Sequence, residues 1–523
     1  MTKKDSDKKG FLKFFKRKKD PNKRPLSLRL LDGIEVVGNK LPHPATLFAL
    51  LAFITLLLSW LIKALGIEAV HPGTGETIQV HNLFSAEGFR FIFANATENY
   101  IYFPPLGIVV VAMLGIGVAE GSGLITAALR HMVTAAPKRL VTVAIIAAGI
   151  LSHLASSVGY VVLIPLGAMV FAAFKRHPIA GLAAAFCGVS AGFGANFLIG
   201  SVDPILAGLS ESAANIIDPS VKLTPAINLF FMIASAIMIT IIGTWITERY
   251  VEPRLGEYQG ELEDFDKVED HEKKGLRWAG ISILITFVAF LLMIVPENGV
   301  LRNPETGSIL RSPFMDGLIT FIFLIFFIPG LVYGIIVGTI KNDKDVVKHM
   351  GSSMKSLSGY LVLVFFAAQF VYIFKKSNLG VMIAIKGAEL LQNVGFTGIG
   401  LIVSFVFISA FINLFMGSAS AKWAIMAPIF VPMFMLLGYH PAMTQVAFRI
   451  GDSVTNVITP MMSYFALIVA FAQKYDKNAG IGTIIATMLP YTVFLTIAWT
   501  ILLSIWMLFG IPLGIDAPIH YGP

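Results

Sequence analysis

The chain has 523 residues, of which 56% are hydrophobic and 14% are charged. Soluble domains carry about 25% charged residues, and the mean hydropathy here is +0.76, so most of the chain is expected to lie in a membrane. The net charge of +8 is concentrated at one end, because residues 1–30 contain twelve Lys and Arg but only three Asp. This location indicates a membrane-topology signal or an anionic-lipid contact and argues against nucleic acid as a partner.

The chain contains one cysteine, Cys187, so an intrachain disulfide is excluded, and we interpret it as a small apolar residue in a helix. The first apolar run begins near residue 44, and no small-residue cleavage site follows it, so no signal peptide is predicted. The simplest compartment is a bacterial inner membrane, with the basic N-terminus in the cytoplasm.

Apolar runs of about 20 residues predict nine membrane spans. Seven runs are continuous and lie at 44–65, 104–119, 225–247, 276–295, 313–339, 358–374 and 482–509. Two others, 179–209 and 441–473, are interrupted by Gly, Ser, Asn and Pro. These interruptions predict helices that unwind inside the membrane, which we call broken helix 1 and broken helix 2.

Two further apolar stretches, 140–174 and 399–437, consist of two arms around a polar tip. Each arm has roughly 11–18 residues, which is marginal for a bilayer core of about 30 Å at 1.5 Å per residue. We therefore predict re-entrant hairpins, called hairpin 1 and hairpin 2.

With the basic tail inside, residues 175–177 and the charged loop 248–275 also lie inside, and the C-terminus lies outside. Lys375 and Lys376 are exceptions to this charge rule.

An internal repeat appears when the chain is shifted by 263 residues. The matched residues are Ser157 with Ser420, Pro165 with Pro428, His177-Pro178 with His440-Pro441, Gly188 with Gly451 and Ser190 with Ser453. Five predicted spans separate the starts of the two copies, and because five is odd the second copy is inverted. Inverted repeats with broken helices are typical of secondary transporters with a mid-membrane substrate site. The alternative is an old duplication without a role in transport.

The resulting organisation has six parts. They are a basic cytoplasmic tail at 1–40, the first span and an outside loop at 41–100, repeat unit 1 at 101–210, scaffold spans at 211–357, repeat unit 2 at 358–474, and the last span with the C-terminus at 475–523.

The hairpin tips carry candidate substrate-binding residues: Ser156 and Ser157 in hairpin 1, and Ser418 and Ser420 in hairpin 2. Each pair precedes a helical arm, and helix N-termini present free N–H groups that suit an anion. The alternative is that these serines only cap helices. Trp423 follows the second tip and offers a flat face to an aromatic ring, although packing or an interfacial position would also explain it.

The broken helices carry the charges. A charge at the membrane centre costs about 2.5–3.5 kcal/mol on insertion scales, so Asp203, Arg449 and Asp452 need an explanation. Arg449 and Asp452 lie three residues apart on one helix face, which suits either a self-neutralising pair or an Arg449 that binds a substrate oxyanion. Asp203 has no partner nearby in sequence, so we predict that it couples transport to H⁺ or Na⁺.

Three residues form a predicted Na⁺ site: Asn196, Asp203 and Asp452. Asn456 is assigned to substrate contact. His153, at the first tip, is interpreted as a satisfied polar residue rather than a titrating one. Lys422 is predicted to be a segment-end or water-facing residue.

Several of these motifs resemble one family. The runs are SSVGYVVLIPL, GLAAAFCGVSAGFGANFLIGSVDPILAG, GSASAKWAIMAPIFVPM and RIGDSVTNVITPMMSYF, and together they are similar to the AbgT-type p-aminobenzoyl-glutamate transporters. The resemblance implies nine spans, two hairpins, a bowl-shaped homodimer, and ion-driven transport of p-aminobenzoyl-glutamate with efflux of sulfonamide antimetabolites. It implies roles for Asn196, Asp203, Ser420, Trp423, Arg449 and Asp452, and for Pro441 and Pro460, which we assign to the helix breaks.

Two alternatives of the same architecture remain open, a cation/proton antiporter and a dicarboxylate symporter. An enzyme is not expected, since the sequence contains neither a nucleotide-binding loop nor a recognisable Ser-His-Asp or metal-ligand spacing. The expected partners are the lipid bilayer, a small aromatic carboxylate and a second copy of the chain. The expected coupling ion is Na⁺ or H⁺, with no other cofactor.

Overall fold

The computed structural model describes residues 42–70, 75–154, 159–256, 258, 268–309, 312–460, 462 and 464–522. The predicted basic tail and the tip serines Ser156 and Ser157 lie outside the described residues. Across the described part the chain is helical apart from one antiparallel pair of strands, β1 (Glu68–Val70) and β2 (Thr77–Gln79). The predicted all-α fold class is confirmed.

The described part of the chain contains 21 α-helices. In chain order they are α1 Pro44–Ala64, α2 Ala86–Ile101, α3 Pro104–Gly121, α4 Leu124–Thr134, α5 Val141–Leu151, α6 Ile164–Ala173, α7 Pro178–Ser190, α8 Asp203–Ala214, α9 Leu229–Ile246, α10 Glu252–Leu255, α11 Asp270–Ile294, α12 Pro313–Asp316, α13 Leu318–Val337, α14 Asp343–Ser356, α15 Ser358–Lys376, α16 Leu379–Asn393, α17 Gly398–Asn413, α18 Ala419–Leu436, α19 Pro441–Asn456, α20 Phe465–Tyr475 and α21 Ile481–Leu508. Short 3₁₀ turns occupy Lys138–Leu140, Ser152–Leu154 and Ala191–Gly194, and π-helical turns occupy Gly159–Leu163 and Thr247–Val251.

Among the described residues, eight helical stretches are long and apolar enough to cross a membrane. Seven of them overlap the seven continuous spans predicted from the sequence, although Ala86–Gly121, with 36 residues, extends well beyond the predicted 104–119. The eighth, Ala419–Leu436, is the second arm of hairpin 2. A ninth is reached if α4 and the stretch Lys138–Leu154, which meet at an angle of 114°, count as one span. The remaining two predicted spans are the broken helices.

Both predicted breaks are present. In broken helix 1, α7 ends at Ser190, the Ala191–Gly194 turn follows, and helical structure resumes only at α8. In broken helix 2, α19 ends at Asn456 and α20 begins at Phe465, with Pro460 in the gap. Pro441 is instead the first residue of α19, a position where proline is favoured because its missing N–H is not needed there.

The centre of the molecule is formed by the pre-break helices, since every residue of α7 and of α19 is buried. Each of them packs against the first arm of its own hairpin, α5 or α17. A Cβ on Gly188 would lie 2.4 Å from the carbonyl oxygen of Ile146, and one on Gly451 would lie 2.3 Å from that of Val406. The matched glycines of the repeat therefore allow the backbones to approach closely, as in other membrane helix pairs.

The base of hairpin 1 lies at the far end of the long helix formed by α9 and α10. Arg176 Nε and Nη2 donate to Glu252 Oε1 and Oε2 at 2.9 and 2.6 Å, and the ring of His177 lies 6.0 Å from that of Tyr258. This joins residues 175–177 to the loop beginning near residue 248, two segments that the charge rule places on one side.

The base of hairpin 2 lies at the opposite end of the same helix. His440 N donates to Ile519 O at 2.9 Å, and Phe231 N, in the first turn of α9, donates to Leu513 O at 3.0 Å. The C-terminal segment 511–521 thus joins the base of hairpin 2 to the start of α9. The stretch Leu229–Leu255 has 27 residues and is about 40 Å long at 1.5 Å per residue. The two hairpins therefore open towards opposite ends, and the predicted inversion is confirmed.

The structure also contains elements that were not predicted. The predicted outside loop after the first span contains β1, β2 and α2, and the helices α4, α14 and α16 were missed. None of these helices has an uninterrupted apolar run of about 20 residues, which was the criterion applied. α14 does carry a sequence signal, since Asn342 and Asp345 form a capping box at its start.

Candidate functional site

The two repeat units meet where the break of unit 1 lies against α19 of unit 2. Gly194 makes this approach possible, because a Cβ there would lie 2.6 Å from Ser453 Oγ and 2.9 Å from Arg449 O. The unwound part of one unit is therefore in direct contact with the central helix of the other. Inverted-repeat transporters place their substrate and ion sites at this kind of junction.

The first ion pair of the site joins the two units. Arg449 Nη1 lies 2.7 Å from Asp203 Oδ1, and the two side chains are only 4% and 3% exposed. Asp203 Oδ2 also accepts from Gly200 N at 2.6 Å, and Asp203 begins α8, where the helix dipole favours a negative charge. The interpretation that Arg449 and Asp452 neutralise each other is wrong. Arg449 pairs with an aspartate from the other unit.

Asp452 pairs instead with Lys422, whose side chain is 1% exposed. The prediction that Lys422 faces water is therefore wrong. Its ammonium also donates to Asn413 Oδ1, and Asn413 Nδ2 donates to Asp452 O at 2.7 Å and to Asn456 Oδ1 at 2.8 Å. Asn456 Nδ2 in turn donates to Asp452 Oδ2 at 3.2 Å. Hydrogen bonds of this kind offset much of the desolvation cost of the buried pair.

Three of the four paired charges, Lys422, Arg449 and Asp452, lie in unit 2, and only Asp203 lies in unit 1. With the offset of 263, Asn413, Lys422, Arg449 and Asp452 correspond to Ile150, Gly159, Phe186 and Val189. Unit 1 has kept the fold of the central helix and hairpin but has apolar residues or glycine where unit 2 has polar ones. The molecule therefore has one charged centre rather than two equivalent ones, and unit 1 contributes Asp203 to it.

The aromatic residues after the hairpin tips hold the units together. Trp423 is fully buried. Its Nε1 donates to Ser210 Oγ on α8 at 3.0 Å, and its ring stacks on Phe448 at 4.6 Å. The equivalent Tyr160 of hairpin 1 stacks on Tyr464 of broken helix 2 at 4.6 Å. Each tip thus packs on residues of the other unit, and a solute reaches the Trp423 ring only if hairpin 2 moves.

The second tip has the geometry of a helix cap. Ser418 is the N-cap of α18, and its Oγ accepts from Ala421 N and lies 3.4 Å from Ser420 Oγ. Ser418 is exposed and Ser420 is half-buried, so both roles considered for these serines, capping and ligand contact, are compatible with the positions found.

The three residues of the predicted Na⁺ site have separate surroundings. Asn196 is buried, and its Oδ1 accepts from Phe197 N at 2.8 Å. The carboxylates of Asp203 and Asp452 each face a different cationic side chain. A Na⁺ ion at either aspartate would therefore compete with a guanidinium or an ammonium group.

Two cavities lie beside broken helix 1. The larger, of about 280 Å³, has wholly apolar walls that include Phe197, Phe287 and Phe321. The smaller, of about 180 Å³, is lined by His153, Tyr160, Phe193, Ser201, Val202, Ile205, Met113 and Leu357, and we call it the break cavity. Of these two, only the break cavity offers polar groups to a solute.

Comparison with known proteins identifies the family. The model of the AbgT putative transporter family matches residues 29–521. The chain belongs to the AbgT transporter family. It is 38% identical over 487 residues to the p-aminobenzoyl-glutamate transport protein of Escherichia coli (strain K12), a match that covers 93% of this chain and 96% of that protein.

Two solved structures are similar to this AbgT-family chain. The Alcanivorax borkumensis YdaH transporter, described as having an unusual topology, is 45% identical with a TM-score of 0.86 and covers 90% of this chain and 100% of its own. MtrF of Neisseria gonorrhoeae, described as illuminating a class of antimetabolite efflux pumps, is 46% identical with a TM-score of 0.89 and covers 94% and 100%. The resemblance seen in the sequence motifs is confirmed.

Sequence reasoning about this AbgT-family chain found most of the charged centre but not all of it. Asp203, Arg449, Asp452 and Asn456 were selected and lie close together, whereas Lys422 was misassigned and Asn413 was not selected. Comparing the two repeat units would have revealed Lys422 and Asn413. Both are polar in unit 2, whereas the equivalent positions in unit 1 are glycine and isoleucine.

Proposed function

We propose that this AbgT-family protein is an ion-gradient-driven secondary transporter of p-aminobenzoyl-glutamate and related antimetabolites such as sulfonamides, working by alternating access. The observation that carries the proposal is the pair of buried ion pairs, Asp203 with Arg449 and Asp452 with Lys422, at the junction of two inverted units. Charges inside a membrane protein are costly and mark substrate or ion pathways.

The substrate class is supported by the named relatives, a p-aminobenzoyl-glutamate transport protein and an antimetabolite efflux pump. Such a solute has an aromatic ring and a carboxylate-bearing or sulfonyl end. Arg449 is suited to the anionic end, because its buried Nε has no hydrogen-bond partner among the described residues and a guanidinium binds planar oxyanions with two donors. The exposed tip at Ser418 is a second candidate for this contact.

Coupling follows from competition at the carboxylates. When H⁺ or Na⁺ reaches Asp203, Arg449 loses its counter-charge and becomes available to the anionic end of the solute. Asp452 exchanges Lys422 for an ion in the same way. Because the Asp203–Arg449 pair crosses between the units, its making and breaking is tied to the movement of one unit against the other, which alternating access requires. The Asp452–Lys422 pair joins hairpin 2 to broken helix 2 within unit 2.

The proposed setting is a bacterial inner membrane, with the N-terminus in the cytoplasm, the C-terminus on the outside and two chains per transporter. Large apolar side chains such as Leu284 and Leu292 of α11 are 61% and 67% exposed, as expected for a helix that faces lipid or a second chain. Chemical crosslinking in native membranes tests the dimer directly.

The test of the function is transport of labelled p-aminobenzoyl-glutamate into proteoliposomes, with Na⁺ and H⁺ gradients imposed separately and in both directions. We expect uptake that one of the two gradients drives and that sulfonamides inhibit. Arg449→Ala and Asp203→Asn are expected to reduce uptake at least tenfold while the protein still inserts. The matched control is Lys386→Ala, which removes an exposed cation paired with Glu389 outside the site.

Either of two results would contradict the proposed function and favour one of the two alternatives. Inhibition by succinate or citrate, with no effect of p-aminobenzoyl-glutamate, would identify a dicarboxylate symporter. Exchange of Na⁺ for H⁺ without any organic solute would identify a cation/proton antiporter.

A further inference from the structure

The break cavity lies against the ion-pair site without being part of it. Val202 and Ile205 line the cavity, and between them in the chain Asp203 pairs with Arg449. The residues on either side of the Asp203–Arg449 ion pair therefore form part of the cavity wall. This places the cavity within reach of a solute whose anionic end is at Arg449.

His153 is the unexplained residue of the cavity. His153 is one of the lining residues, it is only 8% exposed, and its Nε2 has no hydrogen-bond partner among the described residues. Its position is fixed, because its carbonyl oxygen accepts from both Ser201 N and Ser201 Oγ at 3.3 Å. Buried polar groups in native proteins are nearly always paired, so an unpaired one indicates a missing partner.

The remaining walls suit an aromatic ring. The rings of His153 and Phe193 meet edge to face, with centroids 5.4 Å apart at 90°. Tyr160 is held from two sides, because its hydroxyl donates to Ser190 Oγ at 3.3 Å and its ring stacks on Tyr464. Aromatic walls in fixed orientations favour an edge-to-face or offset contact with a further ring.

The size of the cavity limits what it holds. Pockets that bury a whole drug-sized ligand measure roughly 300–1,000 Å³, and the break cavity measures about 180 Å³. It is therefore suited to one substituted ring, with the rest of the solute outside it. Met113 and Leu357 supply apolar walls, and the polar residues of the lining are His153, Ser201 and Tyr160, whose hydroxyl already donates to Ser190.

We propose that the break cavity is the subsite for the aromatic ring of the transported solute, and that His153 determines specificity by hydrogen bonding the polar substituent on that ring. The substituent is an amine or amide whose N–H donates to Nε2, because the other ring nitrogen of His153 is hydrogen-bonded to the backbone of Val189. This inference rests on the proposed function, since it assigns the two ends of one solute to two neighbouring places.

The first test is the apparent KM for p-aminobenzoyl-glutamate in His153→Leu and His153→Gln. His153→Leu keeps the volume but removes the hydrogen bond, so KM is expected to rise roughly 5- to 30-fold with little change in maximal rate. His153→Gln, which keeps hydrogen-bonding capacity, is expected to recover part of that loss. A matched pair of variants controls for lost packing. Phe193→Leu changes the cavity wall and is expected to raise KM, whereas Phe405→Leu, buried in hairpin 2, is not.

The second test measures binding without transport and uses the fact that Cys187 is the only cysteine. In a Cys187→Ala background, Val202→Cys places a thiol at the cavity wall, and exposed Ser352→Cys is the control. p-Aminobenzoyl-glutamate and a sulfonamide are expected to slow thiol labelling at position 202 only, and free glutamate is expected to slow it at neither position.

The outcomes separate the two proposals. Protection at position 202 supports the ring subsite even if the protein moves no solute, and the absence of transport then counts against the proposed function alone. The subsite is overturned if neither aromatic compound protects position 202 up to its solubility limit. It is equally overturned if the wild type transports p-aminobenzoyl-glutamate and His153→Leu changes KM less than twofold.

Discussion

At the scale of single residues, four buried charges form two pairs, of which Asp203–Arg449 joins the two repeat units and Lys422–Asp452 lies within unit 2. Sequence reasoning selected Asp203, Arg449 and Asp452 because charges in apolar segments are rare. It could not select their partners, because Arg449 and Asp452 lie three residues apart on one helix and look like a pair until α8 is placed beside α19. The spacing within a helix says which residues can meet, while the packing between helices decides which do.

Removing one member of the Asp203–Arg449 pair is expected to cost more stability than removing both. Asp203→Asn leaves a buried guanidinium without a counter-charge, which costs about 3–5 kcal/mol. The double variant Asp203→Asn/Arg449→Gln is expected to recover most of that loss but not transport. The measurement is the unfolding free energy in detergent micelles. Glu389→Gln, in the exposed pair with Lys386, is the control and is expected to change stability by less than about 1 kcal/mol.

Trp423 is expected to act through its hydrogen bond to Ser210 as well as through its ring. A double-mutant cycle of Trp423→Phe and Ser210→Ala isolates that bond, and we expect a coupling energy of about 1 kcal/mol. Because the bond joins hairpin 2 to α8, both variants should also slow transport. Additive effects on stability, with no coupling, would show that the indole N–H does not hold the two units together.

At the scale of elements, glycine and proline made the architecture predictable. The interruptions near Gly192, Gly194 and Pro460 predicted two breaks, and both are present close to the predicted positions. The helices α2, α4, α14 and α16 were missed because they are short and lack a full apolar run, so they depend on tertiary packing for their stability. The capping box at Asn342 would have revealed α14.

Gly188→Ala and Gly451→Ala are each expected to destabilise the protein by about 1–3 kcal/mol through overpacking. In both cases the new methyl group would meet backbone atoms of the first hairpin arm, which cannot rotate away. Gly280→Ala, on α11, is the matched control, because a Cβ there meets nothing within 4 Å. Its stability should stay unchanged or rise slightly. Equal melting temperatures for all three variants would contradict the close approach of these helices.

At the scale of the whole molecule, the inversion of the two units decides how the site is reached. The hairpin bases lie at opposite ends of Leu229–Leu255, so each hairpin borders the site from a different side. Sequence counting predicted this from an odd number of spans, and contacts at His177 and His440 confirm it. Counting spans could not predict that the buried charges are unequally divided between the two units, because a duplicated fold does not determine which copy has polar residues.

The inversion predicts opposite accessibility for the starts of the two hairpins. In a Cys187→Ala background, Lys138→Cys and Thr397→Cys place single exposed thiols before hairpin 1 and hairpin 2, respectively. With an impermeant thiol reagent on intact cells, we expect labelling at position 397 but not at 138, and labelling at both after the membrane is opened. Labelling of both from the same side would contradict the inverted arrangement.

The pairing of Asp203 with Arg449 also has a consequence for how the protein is made. The two residues lie almost half the chain apart, so Asp203 enters the lipid before the ribosome has synthesised Arg449. Until then, unit 1 carries a carboxylate whose ion-pair partner Arg449 does not yet exist, and its break lacks the contact with α19. We therefore expect a chain truncated before residue 441 to be less stable in the membrane than the full-length protein.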